Sequence, residues 1–172
     1  MGIEIVRIDD RLVHGQIVQG WLKVVDVNFI LVVSDAVALD EMQQVLLSMA
    51  VPSGIGFKAS SVEVASADIL NNVYEDKKVM ALFSNPCDIV RVLNSGVKLK
   101  SVNIGGMHYV HGKRQLLCNL SVDDRDVFCL ADIYKRGIEL EGRLLPNDDR
   151  TDLSKIIIEE ENKINSQGTC NG

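Results

Sequence analysis

Arg7, Asp9, Asp10, Arg11 and His14 crowd into the run R-I-D-D-R-L-V-H-G-Q at 7–16. Histidine is a nucleophile that titrates near neutral pH, with a reference pKa of about 6.5. Arginine offers a planar fork of donors that suits phosphate oxygens. A carboxylate can hold one ring nitrogen of a histidine and leave the other free to attack. Such a set fits the handling of a phosphoryl group or another small anion. Strand alternation places Arg7 on the face opposite Val6 and Ile8, and a charge in an otherwise apolar strand needs a partner or an anion. Gly15 and Gln16 stand at an expected helix start, where backbone N–H groups can meet an anion. On spacing alone, a hydrogen-bonded surface or capping role for His14 stays open.

Other chemistries fit less well. The stretch GGMHYVHGKR resembles a phosphate loop only loosely. Gly106 and Gly112 are six apart rather than five, and Arg114 follows Lys113 where Ser or Thr should hold magnesium. No GxGxxG follows a strand and no GxSxG occurs. The three histidines, His14, His108 and His111, lack an HExxH or HxE context, so no metal site is expected. His111 reads as a surface residue. Cys87, Cys118, Cys129 and Cys170 form no CxxC pair. A chain without an export signal should hold free thiols, and Cys87 and Cys129 read as packing residues.

The elements that must position the loop follow from apolar patterning. Ile3 to Ile8 reads as a first strand, followed by a helix bearing Val13, Ile17, Trp21 and Leu22. Phe29 to Val33 and Val79 to Phe83 are continuous apolar runs, suited to strands covered on both faces. Leu39, Met42, Leu46 and Met49 have the spacing of an amphipathic helix. Further strands are expected near Ile55 to Ala59, at Leu99 to Ile104 ending in Gly105-Gly106, at Leu116 to Val122 and at Ile138 to Leu144. Ser60 with Glu63, Asn85-Pro86, and Ser121 or Asp123 mark helix starts. Gly137 marks a helix end. Thr151 to Glu161 is a last helix, and 162–172 reads as a polar, frayed tail. The alternation predicts a single-domain α/β fold over 1–161, with an open, mainly parallel sheet of about seven strands and helices on both faces. Ligands gather at the carboxyl ends of such strands, which selects Asp9 to Gln16, Ser84 to Pro86 and Gly105 to Lys113. Gly105 and Gly106 would let the backbone approach the first loop.

The 172 residues carry a net charge of −6. An acidic chain is a poor general nucleic-acid binder, although a local basic pocket for a small anion is compatible with it. No apolar run approaches the roughly 20 residues of a membrane span. The start MGIEIVRIDD shows no signal-peptide pattern, so a cytoplasmic location is expected.

The 7–16 run strongly resembles the active-site loop of the IIB component of the mannose/fructose/sorbose class of the bacterial sugar phosphotransferase system. V-V-S-D at 32–35, F-S-N-P at 83–86, V-N-I-G-G-M-H-Y at 102–109, L-S-V-D-D at 120–124 and P-N-D-D-R-T-D-L at 146–153 extend the match from about Ile3 to Ile157. Ser84 departs from the family, which often has lysine there. The resemblance implies a transferase that passes a phosphoryl group from a phosphohistidine of the IIA component to His14. From there the group goes to a sugar bound by the membrane IIC and IID components, through which the chain would associate peripherally with the membrane. It implies that Arg11 steadies the phosphoryl group, with Asp10 as the neighbouring carboxylate. Arg7, Asp9, Gly15, Gln16, Gly105 and Gly106 are supporting candidates. Asp9 is a rival to Asp10 for orienting His14, and the phosphorylated nitrogen is suggested to be Nδ1. No cofactor is implied, because the phosphoramidate is already activated. His108 falls within the pattern and reads as structural. The residues alone also permit a non-catalytic anion-binding sensor or a transporter adaptor, neither of which needs a nucleophile.

Overall fold

Phe29–Val33 is buried at all five positions, as an apolar strand between two helical layers should be. It is the second strand of a computed structural model that describes residues 2–168. In chain order the elements are β1 (Gly2–Asp9), a π-helical segment (Gln16–Trp21), α1 (Leu22–Val24), β2 (Phe29–Val33), α2 (Asp35–Ala38), α3 (Glu41–Ala50), β3 (Gly56–Ser60), α4 (Val62–Leu70) and β4 (Lys78–Phe83). There follow α5 (Pro86–Asn94), β5 (Ser101–Gly106), β6 (Arg114–Leu117), β7 (Leu120–Val122), α6 (Asp124–Lys135), β8 (Glu139–Gly142), β9 (Thr151–Asp152) and α7 (Ser154–Gly168).

The main sheet has seven strands in the order β3-β2-β4-β1-β5-β8-β9. All neighbours are parallel except β9, which runs antiparallel to β8. The expected open, mainly parallel sheet with helices on both faces is therefore present. Strand alternation divides the core. Ile30, Val32, Met80 and Leu82 pack under Ile17, Trp21, Val37 and Leu47 on one face. Leu31, Val33, Ala81, Phe83, Val6 and Ile8 pack under α4, α5, α6 and α7 on the other. β1 lies between β4 and β5, so its carboxyl end opens among the loops that follow all three strands.

Local signals explain most boundaries. Asn85 caps α5 by accepting from the Asp88 amide, with Pro86 in the first turn. Asp123 and Asp126 form a reciprocal capping box on α6. Gly137 takes φ +82° where that helix ends.

Several expectations need correction. The cap of α4 is Ser61, one residue after Ser60. Leu116 to Val122 is not one strand but a separate antiparallel hairpin of β6 and β7. A short strand, β9, precedes the last helix, and α7 continues past Glu161 to Gly168 with Ile164 against the core. Residues 162–168 are thus helical, and 169–172, with Cys170, lie outside the described residues. Cys87 and Cys129 are joined by a disulfide between α5 and α6, with Cα atoms 5.2 Å apart, while Cys118 is exposed and free. Their separation of 42 in sequence gave no sign of that proximity.

The apolar spacing of 39–49 leaves open which way the stripe of α3 points. In the fold Leu47 is the buried residue of α3, while Met42, Val45, Leu46 and Met49, with Leu39 just before the helix, are all exposed. Inward-facing Gln44 donates to the carbonyls of Val37 and Ala38, both at 3.0 Å. Periodicity marks a stripe but not which way it points.

Candidate active site

Arg7 and Asp9 are two residues apart in β1 and therefore share a face. Both are completely buried and are joined by a 2.9 Å ion pair. Arg7 Nη1 also donates to Asn103 Oδ1 at 2.5 Å and to the Arg143 carbonyl at 2.9 Å, and Nη2 reaches the Leu144 carbonyl at 3.4 Å. Its guanidinium carbon lies 5.1 Å from the centre of the Trp21 ring. Trp21 in turn donates to the Leu144 carbonyl at 2.9 Å. The lone charge expected to need a partner finds partners for both terminal nitrogens, while its buried Nε has no hydrogen-bond partner. Burial pushes the Arg7 pKa down and its carboxylate partner opposes that.

Gly105 is what admits this guanidinium. A Cβ there would stand 1.8 Å from Arg7 Cζ. Gly106 has a different role: its carbonyl accepts from the Asp10 amide at 3.0 Å, tying the loop to β5. In this structure both glycines support the loop from beneath.

His14 Nε2 lies 2.9 Å from Asp9 Oδ2. Desolvation alone would raise the Asp9 pKa, but the bond with His14 and the Arg7 charge outweigh it and hold the carboxyl below its usual range. An ionised carboxylate can only accept, so Nε2 carries the hydrogen and the Nδ1 lone pair is left as the nucleophilic site. Nδ1 faces the Gln16 amide at 3.3 Å. Arg11 flanks the ring. Its Nη2 donates to Gln16 Oε1 at 3.0 Å, and its Nε stands 3.7 Å from Asp9 Oδ1.

The carboxylate on the ring belongs to Asp9, not to Asp10. Asp10 falls on the opposite side of the chain and turns to the loop after β5. There it accepts from the His108 amide and pairs with His108 Nδ1, both at 2.6 Å. His108 thus anchors the loop through Asp10. His111 is exposed.

Leu12 lies between Asp9 and His14 with φ +55°. A non-glycine residue in that region costs about 1 kcal/mol or more. The turn is fixed by a 2.9 Å bond from the Leu12 amide to the Asp9 carbonyl and by burial of the Leu12 side chain. Gly15 precedes the π-helical segment in helical conformation, at φ −52° and ψ −40°. Arg11, His14, Gly15, Gln16, Gln19, Gly20 and Leu145 line an open depression of about 630 Å³. A ring held from behind by a buried carboxylate, with an arginine at its side, can take up and release a phosphoryl group. Sequence reasoning missed Asn103, Trp21 and the Arg143–Leu144 carbonyls as supports. All but Trp21 are about a hundred or more positions from Arg7, and no local signal links them.

The model of the PTS system sorbose subfamily IIB component matches residues 3–168. A PTS system fructose-specific EIIB component from Bacillus subtilis (strain 168) is 39% identical over 157 residues, covering 91% of this chain and 96% of that protein. A PTS system mannose-specific EIIAB component from Escherichia coli (strain K12) is 42% identical across 91% of this chain, which spans 49% of that protein. The solved IIBSor domain of the sorbose permease from Klebsiella pneumoniae superposes with a TM-score of 0.86 at 36% identity, covering 93% of this chain and 98% of that one. No helix among the described residues is long and apolar enough to cross a membrane. The chain belongs to the sorbose-subfamily IIB components of the sugar phosphotransferase system.

Proposed function

We propose that this chain is a phosphoryl carrier that accepts the group from a phosphohistidine of a IIA component on His14 Nδ1. It then delivers the group to a sugar held by membrane IIC and IID components. The observation that carries the reading is the 2.9 Å contact between His14 Nε2 and buried Asp9, which leaves Nδ1 as the attacking nitrogen. In the first step the Nδ1 lone pair attacks phosphorus, and the bond to the donor imidazole breaks with its electrons returning to the donor nitrogen. The hydrogen stays on Nε2, and Asp9 stabilises the positive charge that develops on the ring. Arg11 and the Gln16 amide, no longer facing a lone pair, are the donors available to the phosphoryl oxygens. In the second step a sugar hydroxyl oxygen attacks phosphorus, the N–P electrons return to Nδ1, and the hydroxyl proton leaves to solvent or to a base of the membrane partner.

The reaction class is protein-Nπ-phosphohistidine–sugar phosphotransfer, with a sugar of the mannose, fructose and sorbose class as substrate. The binding partners place the chain in the cytoplasm, held peripherally at the membrane by IIC and IID. Alignment and neutralisation of charge suffice because the phosphoramidate is already activated. The test is incubation with phosphorylated IIA. The expected result is a mass increase of one acid-labile, base-stable phosphate that His14→Ala abolishes. Label that survives His14→Ala would overturn the assignment.

A further inference from the structure

Among the described residues nothing covers the outward stripe of α3, which begins at Leu39 just before the helix. Exposure runs from 53% at Val45 to 88% at Leu39, with Leu46 at 60%, Met42 at 69% and Met49 at 77%. No charged residue occurs from Met42 through Phe57. The helix therefore spends its helical apolar periodicity on solvent and turns Gln44 inward. The five side chains present on the order of 500 Å² of apolar surface, a patch of the size that marks interaction sites.

The order of residues along the stripe identifies what covers it. Residues 42–49 read M-Q-Q-V-L-L-S-M, with Met42 and Met49 at the ends and Val45–Leu46 at the centre. The four exposed positions within the helix, 42, 45, 46 and 49, are symmetric about their midpoint. A two-fold interface needs one patch that complements itself, with residue i against j and j against i. Two such helices packed antiparallel place Met42 of one copy on Met49 of the other and bring the Val45–Leu46 pairs together on the axis. We propose that this face joins two copies of the chain into a symmetric dimer through α3. Two patches together bury about 1,000 Å², the lower bound for a specific interface.

Two further features favour a second copy. The neighbouring β3 edge carries Lys58, paired with Asp68 at 2.6 Å, and an edge lysine discourages sheet-to-sheet joining. Contact therefore falls to the helix. A partner that departs after each transfer would also leave this apolar face open for part of every cycle, whereas a second copy is always present. Only the departure of a transfer partner rests on the phosphoryl-carrier reading; the symmetry and area of the stripe stand without it.

Sedimentation or light scattering of the intact chain across micromolar concentrations provides the test. The native mass should be twice the chain mass of 19.0 kDa, falling to the chain mass in Leu46→Glu. Met42→Lys alone and Met49→Glu alone should each split the dimer. The double variant M42K/M49E should restore it in a salt-sensitive form, because the lysine of one copy then meets the glutamate of the other. All three positions are exposed, so circular dichroism should be unchanged, and phosphate acceptance on His14 reports separately on the active site. A wild-type monomer throughout, larger mixed aggregates, a dimer indifferent to Leu46→Glu, or no rescue by the double variant would overturn the proposal.

Discussion

The active-site loop and α3 depart from the ordinary distribution of polar and apolar groups in opposite directions. At the loop, Arg7 and Asp9 are buried without trace of solvent. On α3, large apolar side chains face outward. The buried charges are answered within the chain by an ion pair, Asn103, two carbonyls, His14 and the face of Trp21. The exposed apolar stripe is answered by nothing among the described residues. Charges buried and paired build a rigid platform for a nucleophile left partly open to solvent. An apolar stripe left open belongs to an assembly larger than the chain. The contrast thus separates what this fold does alone from what it does with others.

The two regions should respond oppositely to substitution. Arg7→Met is expected to have the largest effect, because it removes the buried counter-charge of the Asp9 carboxylate and leaves it only His14 and the more distant Arg11. A loss of about 3–5 kcal/mol is expected for breaking such a pair, read by urea unfolding. Gly105→Ala should follow. The added Cβ invades the space of the guanidinium, and overpacking of this kind costs about 1–3 kcal/mol. Phosphate acceptance should fall with it, because Arg7 fixes Asp9 and Asp9 fixes the ring.

Arg11→Ala tests the functional half of the comparison without disturbing the platform. Its side chain is 44% exposed and its ion pair with Asp9 is long, at 3.7 Å, so the melting temperature should hold. Transfer from phosphorylated IIA should slow by about a hundredfold, as when one charge-stabilising donor is removed. An unchanged rate would remove Arg11 from the reaction. The Asp9 carboxyl gives a pH signature. Its folded pKa lies below the unfolded value of about 3.9. Its contribution is therefore fully present above that value and is lost as pH falls through the lower folded pKa. Asp9→Asn should flatten the acid limb of the stability profile. The smallest effect belongs to α3: Leu46→Glu, in dilute solution where chains are separate, should change stability by no more than about 0.5 kcal/mol. A large loss there would mean that the stripe supports the fold.

Much of this was legible in residue order because the signals are local. Alternation in I-V-R-I-D placed Arg7 on its own face, and the apolar runs at 29–33 and 79–83 marked fully covered strands. The crowding of Arg, Asp and His at 7–16 located the site. The choice between Asp9 and Asp10 was open because both stand where β1 ends, and it was decided by which residue shares the face of Arg7. The left-handed turn at Leu12 carried no composition signal, since leucine is not a residue that announces positive φ. Asn103 and the Arg143 carbonyl reach Arg7 only through the sheet. The orientation of α3 was illegible for a different reason. A stripe made for a neighbour has the same period as one made for the core.

The account stands on His14 attacking through Nδ1 while Nε2 keeps its hydrogen on Asp9. Long-range proton–nitrogen NMR of the 15N-labelled protein, before and after incubation with phosphorylated IIA, observes both ring nitrogens. The predicted result is a phosphorus-coupled Nδ1 on His14, with Nε2 still protonated. Coupling at Nε2, or a phosphate on any residue other than His14, would contradict it.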